Sequence, residues 1–337
     1  MKVLVTGANG FVGAAIVEKL SEDGFETCVL LNSKSSGKKF IENSGAFQIV
    51  HADIADFGSV EKLNGIGKID AVIHCAGLAH QFGNTIEADF WKINVEGTEN
   101  VAKLAVTLQA EHFILISSVA VYGKTIEEKS GIAVNAVSEK TFCQPEDFYS
   151  RSKLESEQAA QLICEENNIN LTILRPSTVI GENDRGNVAR LIKTIDENRF
   201  MWIGNGKNLK SLIYKDDVAR ACLCLLNQEQ IMRGEKTEIF NVTAEALPMS
   251  EIVSEIHKHL RKKNPRIHVS PVILKPFFLL NRKTFKIGRI NKLFGTVNKW
   301  LSDDVFSGDK IKQQYGFEAN TPVREAIRRE VESYKKT

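Results

Sequence analysis

A tyrosine and a lysine stand four residues apart in FYSRSK, Phe148 to Lys153. On a helix that spacing puts Tyr149 and Lys153 one turn apart on the same face. A phenol and an ammonium so placed raise the question of an active site. The same spacing also occurs in the first turn of many amphipathic helices, so the elements around the pair must decide.

The most informative of these opens the chain. The apolar run KVLVT leads straight into TGANGFVG, Thr6 to Gly13, and the glycines at 7, 10 and 13 sit between a strand and a helix. Each has a physical task. Gly7 allows a tight turn, Gly10 lets the backbone approach a pyrophosphate, and Gly13 lets the helix pack hard on the strand. The helix N-terminus then offers free N–H groups and the positive end of its dipole. This strand–turn–helix order at the start of an alternating chain predicts dinucleotide binding. HADIAD places Asp53 and Ile54 at the end of a third strand, suited to hold an adenine. HCAGLAH places Ala76 and Gly77 at the end of a fourth, small enough for a cofactor to pass closely.

Short apolar runs at 2–6, 27–31, 47–50, 70–74, 112–117 and 171–175 predict strands. They lack polar alternation, as in a parallel sheet covered on both faces. Helical patterns lie between them at 11–23, 57–64, 86–110 and 149–167. After 175 the pattern loosens into helices near 187–198, 215–227, 249–262 and 321–335, with short strands such as 237–242. The expected fold is α/β, a Rossmann-type doubly wound parallel sheet with a smaller C-terminal substrate-binding lobe. Residues 1–176 form the dinucleotide-binding domain, and 177–337 mainly the lobe, with segments returning to the sheet.

TGANGFVG, the DI of HADIAD, HCAG, NVEGT (94–98), ISSVAVYG (116–123), YSRSK and LRPSTVIG (174–181) occur in one order across roughly residues 1–230. Together they resemble the extended short-chain dehydrogenases/reductases of the NAD-dependent epimerase/dehydratase family, which act on nucleotide sugars. The resemblance implies that Tyr149 is the general acid/base at a sugar hydroxyl. It implies that Lys153 depresses the tyrosine pKa and holds the nicotinamide ribose, and that Ser118 hydrogen-bonds the reacting oxygen. Asn94 would tie the central helix to the site. Ser150, Arg151 and Ser152 are read as helix surface or minor contacts. The expected cofactor contacts are Gly7, Asn9, Gly10, Phe11, Val12, Gly13, Asn32, Lys34, Asp53, Ile54, Ala76, Gly77, Leu78, Asn94, Tyr149, Lys153 and Pro176. The expected substrate contacts are Ser118, Tyr149, Thr178, Asn187 and Lys210.

Sugar dehydratases of this kind follow the active-site serine or threonine with an Asp-Glu pair. Here Val119 and Ala120 follow Ser118, which sets dehydration aside. Epimerisation at carbon 4 and reduction of a 4-keto sugar need only the same three side chains, so both stay open. Asn32, Ser33 and Lys34 stand where an NAD enzyme usually carries an acid. That leans toward NADP(H) over NAD(H), and so toward a reductase. In the lobe, Lys210 replaces the usual diphosphate-binding arginine, and a lysine binds phosphate as a point charge. Arg185, Lys207 and Arg289 are further phosphate candidates. A steroid- or flavonoid-type reductase shares Tyr149, Lys153 and the glycine turn but would want an apolar pocket. A cofactor-binding sensor without catalysis would not need all three side chains.

The 337 residues suit a domain with an appended lobe, and the net charge of +2 gives no field for nucleic acid. Six scattered cysteines without a C-x-x-C read as reduced thiols in a cytoplasmic protein, not as a zinc site. No signal peptide precedes MKVLVTG, and no apolar run reaches about 18 residues. Residues 269–290 form a basic, apolar stretch read as part of the lobe, with contact to a membrane or lipid-linked substrate as the minor reading. By resemblance the chain is a homodimer packed through helices 86–110 and 149–167, in cell-surface polysaccharide synthesis.

Overall fold

A computed structural model describes residues 1–32, 48–79, 86–123, 136–226, 236–265, 268–270 and 301–336. Six of the apolar runs become β1 (Lys2–Thr6), β2 (Glu26–Leu31), β3 (Gln48–His51), β4 (Ala71–His74), β5 (His112–Ile116) and β6 (Asn170–Pro176). The lobe contributes β7 (Thr178–Ile180), β8 (Trp202–Ile203), β9 (Leu209–Lys210) and β10 (Leu212–Tyr214). Beyond it, β11 (Thr237–Val242) rejoins the first six, and β12 (Leu247–Pro248) and β13 (His268–Val269) are short lobe strands.

The central sheet has seven strands in the order β11-β6-β5-β4-β1-β2-β3. All six pairings are parallel. Its inner strands β1, β2, β4, β5 and β6 are buried almost throughout because helices cover both faces, while the edge strands β3 and β11 are more open. On one face lie α1 (Phe11–Glu22) and, from the second half of the chain, a later helix at Lys215–Leu226. Between them in sequence come α2 (Phe57–Glu61), α3 (Glu87–Phe90), α4 (Gly97–Thr107), α5 (Phe148–Glu166) and α6 (Asn187–Asp196), so the later helix is α7. The other face is covered by α4 and α5, with Val101, Ala105, Ala160 and Cys164 against the strands. This is the expected Rossmann-type α/β architecture.

The lobe has its own core. Residues of α6, β7, β10, α8 (Met249–Leu260) and α10 (Val323–Tyr334) pack around Ile192, Tyr214, Val253 and Ile327. Before α10 comes α9 (Asp309–Tyr315), a helix the sequence pattern did not signal; its Ile311 packs into the core beneath α7.

One expected element changes character. Residues 86–110 were read as one helix, but Trp91–Glu96 form a π-helical turn between α3 and α4. An inserted residue of this kind swings part of a helix inward, and here it buries Asn94.

Candidate active site

The site forms where the C-terminal ends of β1, β4, β5 and β6 meet. Gly7 has φ +67°, and a Cβ there would stand 2.6 Å from the Ala76 amide nitrogen. A Cβ on Gly13 would stand 2.1 Å from the Gly7 carbonyl oxygen. Both positions exclude any side chain. Gly10 is the N-cap of α1, with no side-chain cap and no acid in the first turn. The N–H groups of that turn face outward with their partial positive charge. This cradle fits a dinucleotide pyrophosphate. Asn9 and Gly10 are exposed, with Phe11 and Val12 half-buried beside them.

Behind the cradle runs a chain of neutral hydrogen bonds. Ala76 N–H donates to Thr6 Oγ1 at 3.1 Å, and Thr6 Oγ1 lies 2.7 Å from His74 Nδ1. His74 Nε2 lies 3.0 Å from Thr98 Oγ1, which donates to the Asn94 carbonyl at 2.5 Å. The proton count fixes the tautomer. Thr98 spends its one proton on Asn94, so it accepts from His74 Nε2–H, and His74 Nδ1 accepts from Thr6. The imidazole must be neutral for this, and burial, helped by the Lys153 charge, lowers its pKa to about 3.

Asn94 extends the chain to α5. Its Oδ1 accepts from Leu78 N–H at 2.7 Å, and its Nδ2 donates to the Leu78 carbonyl at 3.1 Å and to Ser152 Oγ at 2.8 Å. Ser152 in turn donates to the Tyr149 carbonyl at 2.9 Å. Ser152 was read as helix surface or a minor contact; it is buried and ties α5 to the π-helical turn. Ser150 is also buried, in a capping box with Asp147 that starts α5. Arg151 alone of the three is exposed.

Tyr149 is half-buried, with its ring 6.4 Å from that of Phe90. Lys153 is buried, and its Nζ donates to the Ile116 carbonyl at 2.6 Å. Ser118 caps the short 3₁₀ turn Val119–Tyr122 and accepts from Ala120 N–H at 3.1 Å. The expected depression of the tyrosine pKa by Lys153 is not found. Burial raises the phenol above its ordinary value, and a hydrogen bond with Ser118 works against that rise. The Lys153 ammonium is directed at Ile116, and burial lowers its own pKa against the opposing pull of Cys75 and Glu157.

A buried ion pair underlies these residues and was not singled out in the sequence. Arg175 Nε and Nη2 donate to the two Glu157 oxygens at 3.0 and 2.6 Å, with both side chains almost fully buried. Ser117, next to Ser118, donates to the same Glu157. The guanidinium lies 4.9 Å from the Tyr122 ring centre, and Tyr122 donates to Asn241 Oδ1 at 2.8 Å. Thus β5, α5, β6 and β11 are locked together directly under Ser118 and Lys153. The signal was there: Glu157 lies one turn beyond Lys153, and Arg175 lies inside LRPSTVIG.

Asp53 sits after β3, accepting from Ala55 N–H at 3.1 Å, and Ile54 packs where a Cβ on Gly97 would lie. Gly77 is exposed, and Pro176 is buried at the end of β6. Asn32 follows β2 and is exposed; Lys34 and Arg289 lie outside the described residues, as does most of 269–290. Thr178, Arg185, Asn187 and Lys207 are exposed on the lobe. Lys210 is ion-paired with Asp304 at 2.5 Å. All six cysteines are free thiols. No helix among the described residues is long and apolar enough to cross a membrane.

Residues 3–243 match the NAD dependent epimerase/dehydratase family. The chain belongs to that family. It is therefore an enzyme of the isomerase/oxidoreductase kind, built around a dinucleotide. It is similar to the N-acetyl-alpha-D-glucosaminyl-diphospho-ditrans,octacis-undecaprenol 4-epimerase of Escherichia coli O157:H7, 28% identical over 79% of this chain and 75% of that protein. It is similar to the dTDP-D-glucose 4,6-dehydratase of Mus musculus, 27% identical over 78% of this chain and 74% of that protein. Among solved structures, the UDP-glucuronic acid 4-epimerase of Bacillus cereus, crystallised with NAD, has the same fold. The TM-score is 0.75 at 21% identity, covering 100% of this chain and 99% of that one.

Proposed function

We propose that this chain is a nucleotide-sugar 4-epimerase acting on a hexose or N-acetylhexosamine. The observation that carries the reading is the convergence of Ser118, Tyr149 and Lys153 beside the Gly7–Gly13 cradle. Tyr149 exchanges a proton with the carbon-4 hydroxyl, Ser118 holds that oxygen, and Lys153 binds ribose hydroxyls. When bound, an oxidised nicotinamide supplies the hydride acceptor that no side chain can provide, and a positive charge that favours the tyrosinate. Gly7, Gly13, Ala76 and Asp53 are the residues that would hold the dinucleotide. Against dehydration, Val119 is buried and Ala120 is apolar, so no acid pair follows Ser118. Thr178 and Asn187 reach solvent on the lobe, where a nucleotide diphosphate would lie. A homodimer along α3, α4 and α5 is supported by the exposed Ile86, Trp91 and Leu162 on that face.

A second reading, reduction of a 4-keto sugar with NADPH, is favoured by Asn32 in place of an acid at the end of β2. Mass spectrometry of the dinucleotide released on denaturation separates the two. Retained NAD marks the epimerase; an empty protein that prefers NADPH over NADH marks the reductase. For either, Tyr149→Phe lowers kcat by about 10²–10⁴ while dinucleotide affinity is kept. Residual activity near wild type would sink the assignment.

A further inference from the structure

The last helix sends an acid into the lobe that no step above uses. Glu330, on α10, is 3% exposed. Its Oε2 accepts from Gly181 N–H at 3.1 Å, across 149 positions of sequence. Its Oε1 is buried and has no hydrogen-bond partner while the carboxyl is ionised. The carboxyl faces that of Asp184. Asp184 is already occupied in ordering the next turn, accepting from Gly186 N–H at 2.7 Å and Ala189 N–H at 3.4 Å. Those two amides open α6, whose first residue is Asn187.

Asp184 already accepts two amide hydrogen bonds at the start of α6, so a charge on Glu330 facing it would be repelled and would leave Oε1 unsatisfied. A proton on Glu330 removes both faults at once. The neutral acid donates to Asp184 and still accepts from Gly181.

We infer that Glu330 is a positioning residue, a neutral acid bridging Gly181 to Asp184 and thereby setting the Gly181–Asn187 loop against the substrate. This deepens the nucleotide-sugar reading, on which the role of Asn187 rests. Among the described residues around it, the neighbouring cations are engaged elsewhere. Glu182, from the same loop, adds to the repulsion. Lys215 is paired with Glu182 and Asp216, and Arg329 with Glu325. From β10, Tyr214 donates its hydroxyl to Glu182. From α8, Glu251 is paired with Arg324, while His257 bonds the Val253 carbonyl. From α6, Asp196 accepts from Tyr334. Burial and the Asp184 charge raise the Glu330 pKa to about 9.

The test compares Glu330→Gln with Glu330→Ala in the full chain. Glutamine can accept from Gly181 and donate to Asp184; alanine can do neither. Hydrogen–deuterium exchange of the 181–190 peptide, corrected for intrinsic rate, should accelerate at least about tenfold in the alanine variant and stay near wild type in the glutamine variant. Raising the pH from 7 to 10 should loosen this peptide in the wild type alone. With a nucleotide sugar that the wild type turns over, the alanine variant should raise KM about tenfold, leave kcat and dinucleotide affinity unchanged, and be rescued by glutamine. A glutamine variant as loose as alanine, or an alanine variant as protected as wild type, would overturn the inference. If the wild type turns over no nucleotide sugar, the functional reading fails, and exchange still decides the role of Glu330.

Discussion

The two sides of the cleft satisfy their buried polar groups in opposite ways. On the cofactor side, Thr6, His74, Thr98, Asn94 and Ser152 form a neutral chain in which every donor finds an acceptor. In the lobe, the carboxyls of Glu330 and Asp184 meet with Glu182 nearby, and Glu330 must keep a proton to fit. The difference separates two tasks. A neutral network keeps its geometry over a wide pH range, as a cofactor common to a family requires. A carboxyl pair stores free energy that one proton can release, so its geometry depends on conditions.

Between the two sides lies the Glu157–Arg175 pair, and the largest effect is expected there. Arg175→Met leaves Glu157 as a lone buried charge and should cost about 3–5 kcal/mol in urea unfolding. Adding Glu157→Leu should recover much of that loss, since a buried pair is often replaced by apolar residues at little cost. A single variant as stable as wild type would show that water reaches Glu157, and the pair would not separate the two halves.

Glu330→Gln probes the substrate side with the opposite sign. The folded-state pKa of Glu330, about 9, lies above its ordinary 4.5. Its stabilising contribution is thus complete below pH 4.5 and is lost as pH rises toward 9. At pH 7 the interval is 7 − 4.5 = 2.5 units, which caps the wild-type penalty at about 3 kcal/mol. The glutamine variant should therefore match wild type near pH 4.5, gain on it as pH rises, and level off above pH 9. Thermal melts across that range measure the gap, and a constant gap would remove the shared proton from the account.

His74 sharpens the contrast from the cofactor side. With its folded pKa near 3, below the ordinary 6.5, its contribution is present above pH 6.5 and is lost on acidification toward 3. The smallest of these effects concerns the cradle. Gly13→Ala drives a Cβ into the Gly7 carbonyl and should cost about 1–3 kcal/mol of stability. It should also abolish dinucleotide binding by calorimetry, and unchanged affinity would show that the turn does not contact the cofactor.

The cofactor side was also the more legible in the sequence. The glycine turn announces itself because three backbone constraints fall on a strand–helix junction, all local. The buried strands read directly because parallel sheets need continuous apolar runs. The π-helical turn did not, since adding a residue to a helical turn changes its hydrogen bonding without changing its composition. Ser152 read as surface or a minor contact because its partner, Asn94, lies 58 residues away. Glu330 was hidden among the charges of REAIRREVES, where an amphipathic helix reads as solvated. Only the fold places it against Gly181. The tyrosine pKa was misjudged for a related reason: spacing gives the face a lysine shares, not the carbonyl its ammonium chooses.

The first strand of the chain lies inside the sheet, between β2 and β4, with two strands on one side and four on the other. Its second partner arrives late, as Val3 pairs with Ala71, 68 positions on. At translation speeds of about 5–20 residues per second, that interval lasts roughly 3–14 seconds. For that time the edge of β1 that β4 will cover stands unpaired, so this strand's pairing is completed only when a distant segment arrives.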